Sequence, residues 1–266
     1  FSHARLVAST LDAVQTYLDR RLNVDRESDR TGNGLLVRGR NVVHRIGAAL
    51  NTSFAVIEAA AKAHVDVLIV HHAPWAEIDL HLHEQKLARL HSFGISLYAT
   101  HESLDRSPTE SVGGSIAESL GLTNVSSTAT DLVVGLAPDV SFDAWLRLVS
   151  NRLEAPVRAW PNNPKFHRVG LVPGGGGATR YLADALAQGC DTFLTGEGSL
   201  YTELFAFECD LSLVYATHVA TEYPAICAFA ASVSAALDLA FTAVPETKSI
   251  TGGGRAPIEY DRDGAV

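Results

Sequence analysis

The chain has 266 residues, 47% of them hydrophobic and 19% charged, and a formal net charge of −9 at pH 7. This length and composition are typical of one large or two medium-sized globular domains and exclude a disordered tail. The first 50 residues hold eight arginines and five acidic residues, so the negative charge lies in the remainder. An acidic body argues against a general nucleic-acid-binding protein, whose affinity depends on neutralising phosphates.

The composition also bears on the compartment. No continuous apolar run reaches the roughly 18 residues of a membrane span, and the first residues do not resemble a signal peptide. Three cysteines, Cys190, Cys209 and Cys227, are too few and too scattered for a disulfide framework or a thiolate zinc site. We therefore predict a cytoplasmic protein and expect neither a membrane nor a nucleic acid as its partner.

Four short segments occur twice, in the same order and at nearly the same spacing. They are HRIG and HRVG at 44–47 and 167–170, Ala-rich segments ending in Asp66 and Asp191, VDVLIV and CDTFLT at 65–70 and 190–195, and YATH at 98–101 and 215–218. Four ordered matches of this kind indicate an internal duplication. The first copy is longer because it contains WAEIDLHLHEQ at 75–85, which we expect to form a loop or lid beside the strand ends.

Each copy has the pattern strand, helix, strand, helix, strand. The short apolar runs are typical of buried parallel strands, and the Ala-rich segments between them suit crossover helices. We therefore predict an α/β fold of two similar three-layer α/β domains, residues 1–128 and 129–266, with the metal site in the cleft between them. The second copy begins with an extra strand and helix at 132–136 and 142–153, and a loose tail is expected from about residue 251.

Histidines follow the predicted strands, at the strand ends where ligands gather in open α/β sheets. His101 is followed four residues later by Asp105, and His218 is followed four residues later by Glu222. On a helix this spacing places both side chains on one face. Taken alone, such a pair could also be a carboxylate and a histidine that cap a helix, but the repeat of the spacing favours two half-sites for metal.

Another strand ends in the adjacent pair His71 and His72, of which one could be packed and the other exposed. Together with the two half-sites, the pair predicts a site for two divalent ions with nitrogen and oxygen ligands. The sequence does not distinguish among zinc, manganese, iron, cobalt and magnesium as the metal.

The PGGGGA segment at 173–178 has two open interpretations, contact with a bound anion or close backbone packing beside the metals.

The residues around these strand ends resemble a known family. The segments concerned are VHHAP at 70–74, ATHESLD at 99–105, TGE at 195–197 and ATHVATE at 216–222. They are similar to the NGG-one-interacting-factor-three-like family of dinuclear metal proteins, whose members are often catalogued as GTP cyclohydrolase 1 type 2. The similarity runs from about residue 32 to residue 224, and the length corresponds to the short form of the family.

The resemblance implies a metal site and an assembly. The chain also departs from the family pattern at some positions. The resemblance implies two divalent ions held by His71, His72, Asp105, His218 and Glu222, with His101 beside them. It also implies a homo-oligomer, a toroidal hexamer built from dimers. Asn51 stands where the family commonly has Asp, and Ser199, Leu200 and Tyr201 stand where many members carry histidines, which concerns the contacts on the substrate side.

These observations lead to a metal-dependent hydrolase as the first hypothesis for the function. Two ions would activate a water, and His101 or Glu197 would transfer protons as the catalytic residues. The family's catalogue name implies a nucleotide as the small-molecule substrate, with hydrolysis opening the guanine ring of GTP and releasing formate. Two alternatives remain open: a metal-dependent phosphoesterase, and a non-catalytic ring-shaped binding or regulatory protein with a metal centre.

Overall fold

The structure of the protein, a computed structural model, describes residues 8–24 and 32–246. The expected loose tail from about residue 251 lies outside the described residues. The helices are α1 (Leu11–Arg21), α2 (Phe54–Lys62), α3 (Ala76–Asp79), α4 (His81–Phe93), α5 (His101–Asp105), α6 (Val112–Ser119), α7 (Phe142–Leu153), α8 (Thr179–Ala187), α9 (Leu200–Glu208) and α10 (His218–Ala236). The strands are β1 (Ser9–Thr10), β2 (Gly34–Val37), β3 (Val42–Val43), β4 (Arg45–Asn51), β5 (Val67–His72), β6 (Ser96–Ala99), β7 (Thr123–Ser127), β8 (Val133–Leu136), β9 (Arg158–Trp160), β10 (Arg168–Val172), β11 (Thr192–Thr195), β12 (Ser212–Tyr215) and β13 (Ala240–Ala243).

Two mixed sheets form the centre of an α/β fold. The first has the strand order β13-β4-β5-β6-β2 and the second β7-β8-β10-β11-β12-β9. In each sheet three successive strands, β4-β5-β6 and β10-β11-β12, run parallel. Antiparallel strands flank them on both sides in the second sheet, whereas in the first sheet β2 is antiparallel and β13 is parallel. Both copies of the repeat therefore have the predicted order of strands and crossover helices.

Helices cover both faces of each sheet, which gives the predicted three layers. In the first sheet Ile69 lies in the apolar cluster with α1 and α10, whereas its neighbour Leu68 lies in the cluster with α2 and α4. In the second sheet Leu194 lies with α6 and α7, and Phe193 lies with α8 and α9. The alternation follows from the period of two along a strand, which sends successive side chains to opposite faces.

One pair of repeated residues has the same structural role in both sheets. Asp66 accepts hydrogen bonds from the backbone N–H groups of His44 and Arg45, at 2.8 and 3.0 Å. Asp191 accepts from the backbone N–H groups of His167 and Arg168, at 3.0 and 3.3 Å. Each carboxylate thus secures the start of the neighbouring parallel strand. The equivalence is what an internal duplication predicts, and the duplication itself stays a prediction.

The sheets do not divide the chain at residues 128 and 129. Strand β7 precedes that point but pairs with β8 in the second sheet, and β13 returns to pair in parallel with β4 in the first. Helix α10 precedes β13 and packs on the first sheet, where Ile226 and Phe229 join the apolar cluster of Ile46. The last described segment of the chain therefore completes the first sheet.

The inserted stretch at 75–85 is mostly helical, so the expectation of a loop was wrong. Trp75 is followed by α3 and then by α4. Lys86 of α4 forms an ion pair of 2.6 Å with Asp79 at the end of α3, and Leu90 of α4 is fully buried. These contacts explain why the segment folds into helices.

Helix α10 is, within the described part of the chain, long and apolar enough to cross a membrane by length and composition. Its hydropathy averages 1.2 over the most apolar window, of which 44% is buried inside the protein. A core helix passes the same test, and α10 packs against the first sheet through Ile226, Phe229 and Val233.

We predict that Asp66→Ala and Asp191→Ala each lower the free energy of unfolding by about 1–3 kcal/mol, because each leaves backbone N–H groups without an acceptor. Urea denaturation monitored by circular dichroism measures the change. The exposed Asp139→Ala is the matched control and should stay close to wild type. A stable Asp191→Ala variant beside a destabilised Asp66→Ala variant would contradict the equivalence of the two positions.

Candidate metal centre

Residues from both sheets converge at one point. His71 and His72 are the last residues of β5, and His101 opens α5 directly after β6. His218 opens α10 after β12, and Glu222 lies one turn later on the same helix. Because α10 leaves the second sheet and packs on the first, it carries its two residues to the carboxyl ends of β5 and β6.

The predicted ligands lie within a few ångströms of one another. Nε2 of His71 is 3.5 Å from Oδ2 of Asp105 and 3.9 Å from Oε1 of Glu222. Oε2 of Glu222 is 3.4 Å from Nε2 of His72 and 3.0 Å from Nε2 of His218. The structure thus brings all five side chains together, and their role as ligands stays a prediction.

Two groups among the described residues have the geometry to hold an ion. They are His71, His72 and His101 in one group, and His72, His218 and Glu222 in the other, with ligand atoms within 4.8 Å of each other in each. His101, predicted from the sequence as a proton carrier, therefore also lies in position to be a ligand. Asp105 belongs to neither group and reaches the site through its proximity to His71.

The donor atoms fit a divalent cation. Within the described residues, several buried polar atoms have no hydrogen-bond partner, and two of them lie here, Nδ1 of His71 and Nδ1 of His101. Two further buried atoms, Nε2 of His218 and Oε2 of Glu222, form an ion pair with each other at 3.0 Å. Buried polar atoms are nearly always hydrogen-bonded, so such a cluster requires a reason. Imidazole nitrogens and carboxylate oxygens are ligands of divalent metals, and a bound ion would satisfy this set.

Two of the histidines are oriented by a hydrogen bond at Nδ1, the ring nitrogen that does not face Glu222. Nδ1 of His72 lies 2.8 Å from Oδ1 of Asn51, and Nδ1 of His218 lies 2.9 Å from Oε1 of Glu197. In both rings Nε2 is left facing Glu222. Glu197, predicted as a catalytic residue, is thus placed against His218. The contact of Asn51 was missed, since the sequence marks that residue only as a departure from the family pattern.

The glycine-rich segment at 173–178 packs closely against the centre. Gly174 has a φ of +56°, and a Cβ at this position would lie 1.9 Å from Oε1 of Glu222. Only glycine allows both this conformation and this approach. At Gly174 the structure therefore favours close backbone packing, one of the two interpretations of the segment.

Burial and neighbouring charges shift the pKa values of the site in opposite directions. Burial, with the nearby imidazoles, lowers the pKa of His72 to about 3. Burial and the charge of Glu222 raise the pKa of Asp105 well above its usual range. For His218 burial lowers the pKa, but hydrogen bonds and charges from Glu222 and Glu197 outweigh burial and raise it to about 9.

A cavity of about 630 Å³ opens beside the centre. Its lining comprises Asn51, Thr52, Ser53, His72, Ala73, Trp75, Glu77, Ile78, Asp79, Lys86, His101 and His218. The ring of Trp75 lies 5.1 Å from the ring of His101 and 5.7 Å from that of His72, centroid to centroid. Trp75 and helix α3, which follows it, thus form a wall of the cavity with an aromatic ring and acidic side chains beside the imidazoles.

Comparison with known proteins shows one family over most of the chain. The family model described as Duf34/NIF3 (NGG1p interacting factor 3) matches residues 9–249. A "GTP cyclohydrolase 1 type 2 homolog" of Deinococcus radiodurans is 28% identical over 232 residues, which cover 84% of this chain and 88% of the relative. A relative of the same name in Allochromatium vinosum is 32% identical over 215 residues, covering 77% of this chain and 84% of its own.

The solved structures agree with the family model. A structural-genomics protein called ybgI, of unknown function, superposes with a TM-score of 0.80 at 26% identity and covers 90% of this chain and 99% of its own. The residues that the family model matches, 9–249, span both sheets and the candidate metal centre.

We predict that uptake of a divalent metal at pH 7 releases protons, because His218 must lose the proton that its pKa of about 9 retains. The release should disappear as the pH rises above 9. Calorimetric titration with manganese in two buffers of different ionisation enthalpy measures it, and equal heats in both buffers would refute it. His218→Ala should release about one proton fewer.

We further predict that Gly174→Ala weakens metal binding at least about tenfold, because its methyl group displaces Glu222. Gly189→Ala is the matched control, since Gly189 also has a positive φ of +74° but nothing within 4 Å of its Cβ position. Both variants share the backbone strain, and only Gly174→Ala should lose affinity in the same titration. Equal affinities would show that Glu222 is not held by this packing.

Proposed function

The chain belongs to the Duf34/NIF3 family, and on that premise we propose that it is a hydrolase dependent on two divalent metal ions. Five residues would hold the ions: His71, His72, Asp105, His218 and Glu222. The observation that carries the proposal is the cluster of two overlapping ligand groups, with the carboxylate of Asp105 beside His71. When bound, the ions would supply a water of lowered pKa and stabilise charge that develops on the substrate.

The residues of the site would set its charge and geometry. Asp105 and Glu222 contribute two negative charges, fewer than the positive charges of two divalent ions, so the loaded centre keeps a net positive charge toward the cavity. Glu197 orients the ring of His218 through Nδ1, at 2.9 Å. Gly174 leaves room for Glu222 between the two ligand groups.

His101 is the residue we assign to proton transfer. It lines the cavity, and burial lowers its pKa, so that the ring is neutral at pH 7 and can accept a proton. Nδ1 is buried, which leaves Nε2 as the atom that exchanges a proton with a molecule in the cavity. General acid–base catalysis of this kind contributes typically about 10²–10⁴-fold.

The cavity favours a planar ring as the substrate. Trp75 offers an aromatic surface beside His72 and His101. Glu77 and Asp79 outnumber Lys86 among the charged residues of the lining, and Lys86 is already paired with Asp79. The aromatic surface of Trp75 suits a ring better than a simple phosphoester, so we rank ring hydrolysis above phosphoester hydrolysis. The name of the relatives makes GTP the first substrate to test, with formate as the product of ring opening.

A second candidate is a non-catalytic ring-shaped binding protein, and helix α9 supports it. Leu200, Tyr201, Leu204 and Phe207 are between 47% and 73% exposed on this one helix. A contiguous exposed apolar surface of this kind usually marks a site of protein–protein contact. In either case we propose a cytoplasmic homo-oligomer, a hexamer by resemblance to the family.

We predict that the metal-loaded wild-type protein releases formate from GTP and that His218→Ala lowers turnover more than about 100-fold, because a ligand and its metal are lost together. Chromatography of the nucleotides and an enzymatic formate assay measure both. His81→Ala, which changes an exposed histidine of α4, is the matched control and should keep full activity.

The products separate the candidates. Inorganic phosphate without formate would identify a phosphoesterase. Two bound metals per chain without turnover of any nucleotide would favour the binding protein, and in that case His218→Ala should alter the oligomer in sedimentation. Under the hydrolase proposal the oligomer of His218→Ala stays intact while turnover disappears.

A further inference from the structure

We propose that Glu246, which follows β13, is a positioning residue of the metal centre. It sets the orientation of the Asn51 amide and, through Asn51, presents Nε2 of His72 to the metals. This inference rests on the metal site proposed above. It concerns a residue that neither the repeat nor the strand-end pattern singles out, almost 200 positions along the chain from Asn51.

The contacts of Glu246 fix the amide of Asn51 in one direction. Oε1 of Glu246 accepts hydrogen bonds from the backbone N–H groups of Leu50 and Asn51, at 2.6 and 3.0 Å. Oε2 accepts from Nδ2 of Asn51 at 2.9 Å. An ionised carboxylate only accepts hydrogen bonds, so Asn51 must direct its NH₂ group toward Glu246 and its Oδ1 away from it.

The direction of the Asn51 amide then decides the tautomer of His72. Oδ1 of Asn51 lies 2.8 Å from Nδ1 of His72. An amide oxygen only accepts, so Nδ1 must carry the proton. The lone pair of the neutral ring is then on Nε2, which faces Oε2 of Glu222 at 3.4 Å. Only the nitrogen with the lone pair can bind a metal, so the chain of hydrogen bonds prepares His72 as a ligand.

The backbone that precedes Glu246 is anchored at Val244 by two hydrogen bonds. Val244 donates a backbone hydrogen bond to Ala48 of β4, at 2.7 Å. The hydroxyl of Tyr223, next to Glu222 on α10, donates to the backbone carbonyl of Val244 at 2.9 Å. Asn51 in turn lies opposite His72 in the register of β4 and β5. The carboxylate is thus held in place by the same elements that carry the ligands.

Exchanging one carboxylate oxygen of Glu246 for an NH₂ group tests the direction of these hydrogen bonds without changing the size of the side chain. In Glu246→Gln, with Oε1 kept on the backbone N–H groups, the new NH₂ group faces the NH₂ group of Asn51. The repulsion is relieved when the Asn51 amide turns over and donates to Nδ1 of His72. The proton of the ring then moves to Nε2, which can no longer bind a metal.

The double variant Asn51→Asp with Glu246→Gln should restore the arrangement. The new amide at position 246 accepts from the backbone N–H groups and donates to one oxygen of the new carboxylate at position 51. The other oxygen of that carboxylate accepts from Nδ1 of His72. A merely structural role of Glu246 would not produce this rescue, because the two substitutions exchange the charge and the amide between the two positions.

We predict that Glu246→Gln lowers the affinity for manganese by about 10–100-fold and that the double variant recovers most of the loss. Calorimetry measures the affinity, and the visible absorption of bound cobalt reports the number of ligands. The nitrogen chemical shifts of the histidine rings in the metal-free protein report the tautomer directly. They should show the proton of His72 on Nδ1 in wild type and the double variant and on Nε2 in Glu246→Gln. Glu118→Gln, on the surface of α6, is the charge-matched control.

The outcomes separate this inference from the proposed function. Unchanged metal affinity and an unchanged His72 tautomer in Glu246→Gln would overturn the inference, and so would a loss that the double variant does not repair. If the wild-type protein binds no metal but the His72 tautomer changes in Glu246→Gln and is restored in the double variant, the proposed function fails, whereas the control of the His72 tautomer by Glu246 is confirmed.

Discussion

The burial of the Glu222 carboxylate among imidazoles is the interaction on which the rest of the site depends. A buried carboxylate costs several kcal/mol unless a positive charge and hydrogen bonds compensate for it. Here Oε2 lies 3.0 Å from Nε2 of His218, whose pKa of about 9 keeps it protonated near neutral pH. The compensation is thus a proton, and a divalent cation can take the place of that proton. The same carboxylate explains why position 174 is a glycine, since a Cβ there would collide with Oε1 of Glu222.

Glu222 reaches this position because α10 connects the two sheets. The helix begins after the last parallel strand of the second sheet, buries Ile226 and Phe229 against the first, and leads into β13 beside β4. The side chains of the site therefore come from the first sheet and from a helix that begins beside the second, and the apolar cluster of Ile46 holds that helix on the first sheet.

The sequence predicts the parts of the structure that leave local or repeated signals. The repeated YATH segments and the spacing of four residues identify His101, Asp105, His218 and Glu222, because strand ends and helix faces follow from short-range periodicity. The pairing of β13 with β4 and the contacts of Glu246 could not be predicted, because they join residues almost 200 positions apart and the bonds of Glu246 go largely to backbone N–H groups. The helices of the insertion were missed because the comparison of the two copies identifies that stretch only as extra length in the first copy.

The two histidines that face Glu222 differ in electrostatics although they present the same atom. Nδ1 of His72 meets the neutral amide of Asn51, and burial lowers the pKa of the ring to about 3. Nδ1 of His218 meets the carboxylate of Glu197, and the pKa of that ring is raised to about 9. Of the two ligand groups, one consists of the imidazoles of His71, His72 and His101, whereas the other includes the carboxylate of Glu222. The two groups therefore differ in the ligand chemistry that they offer to a cation.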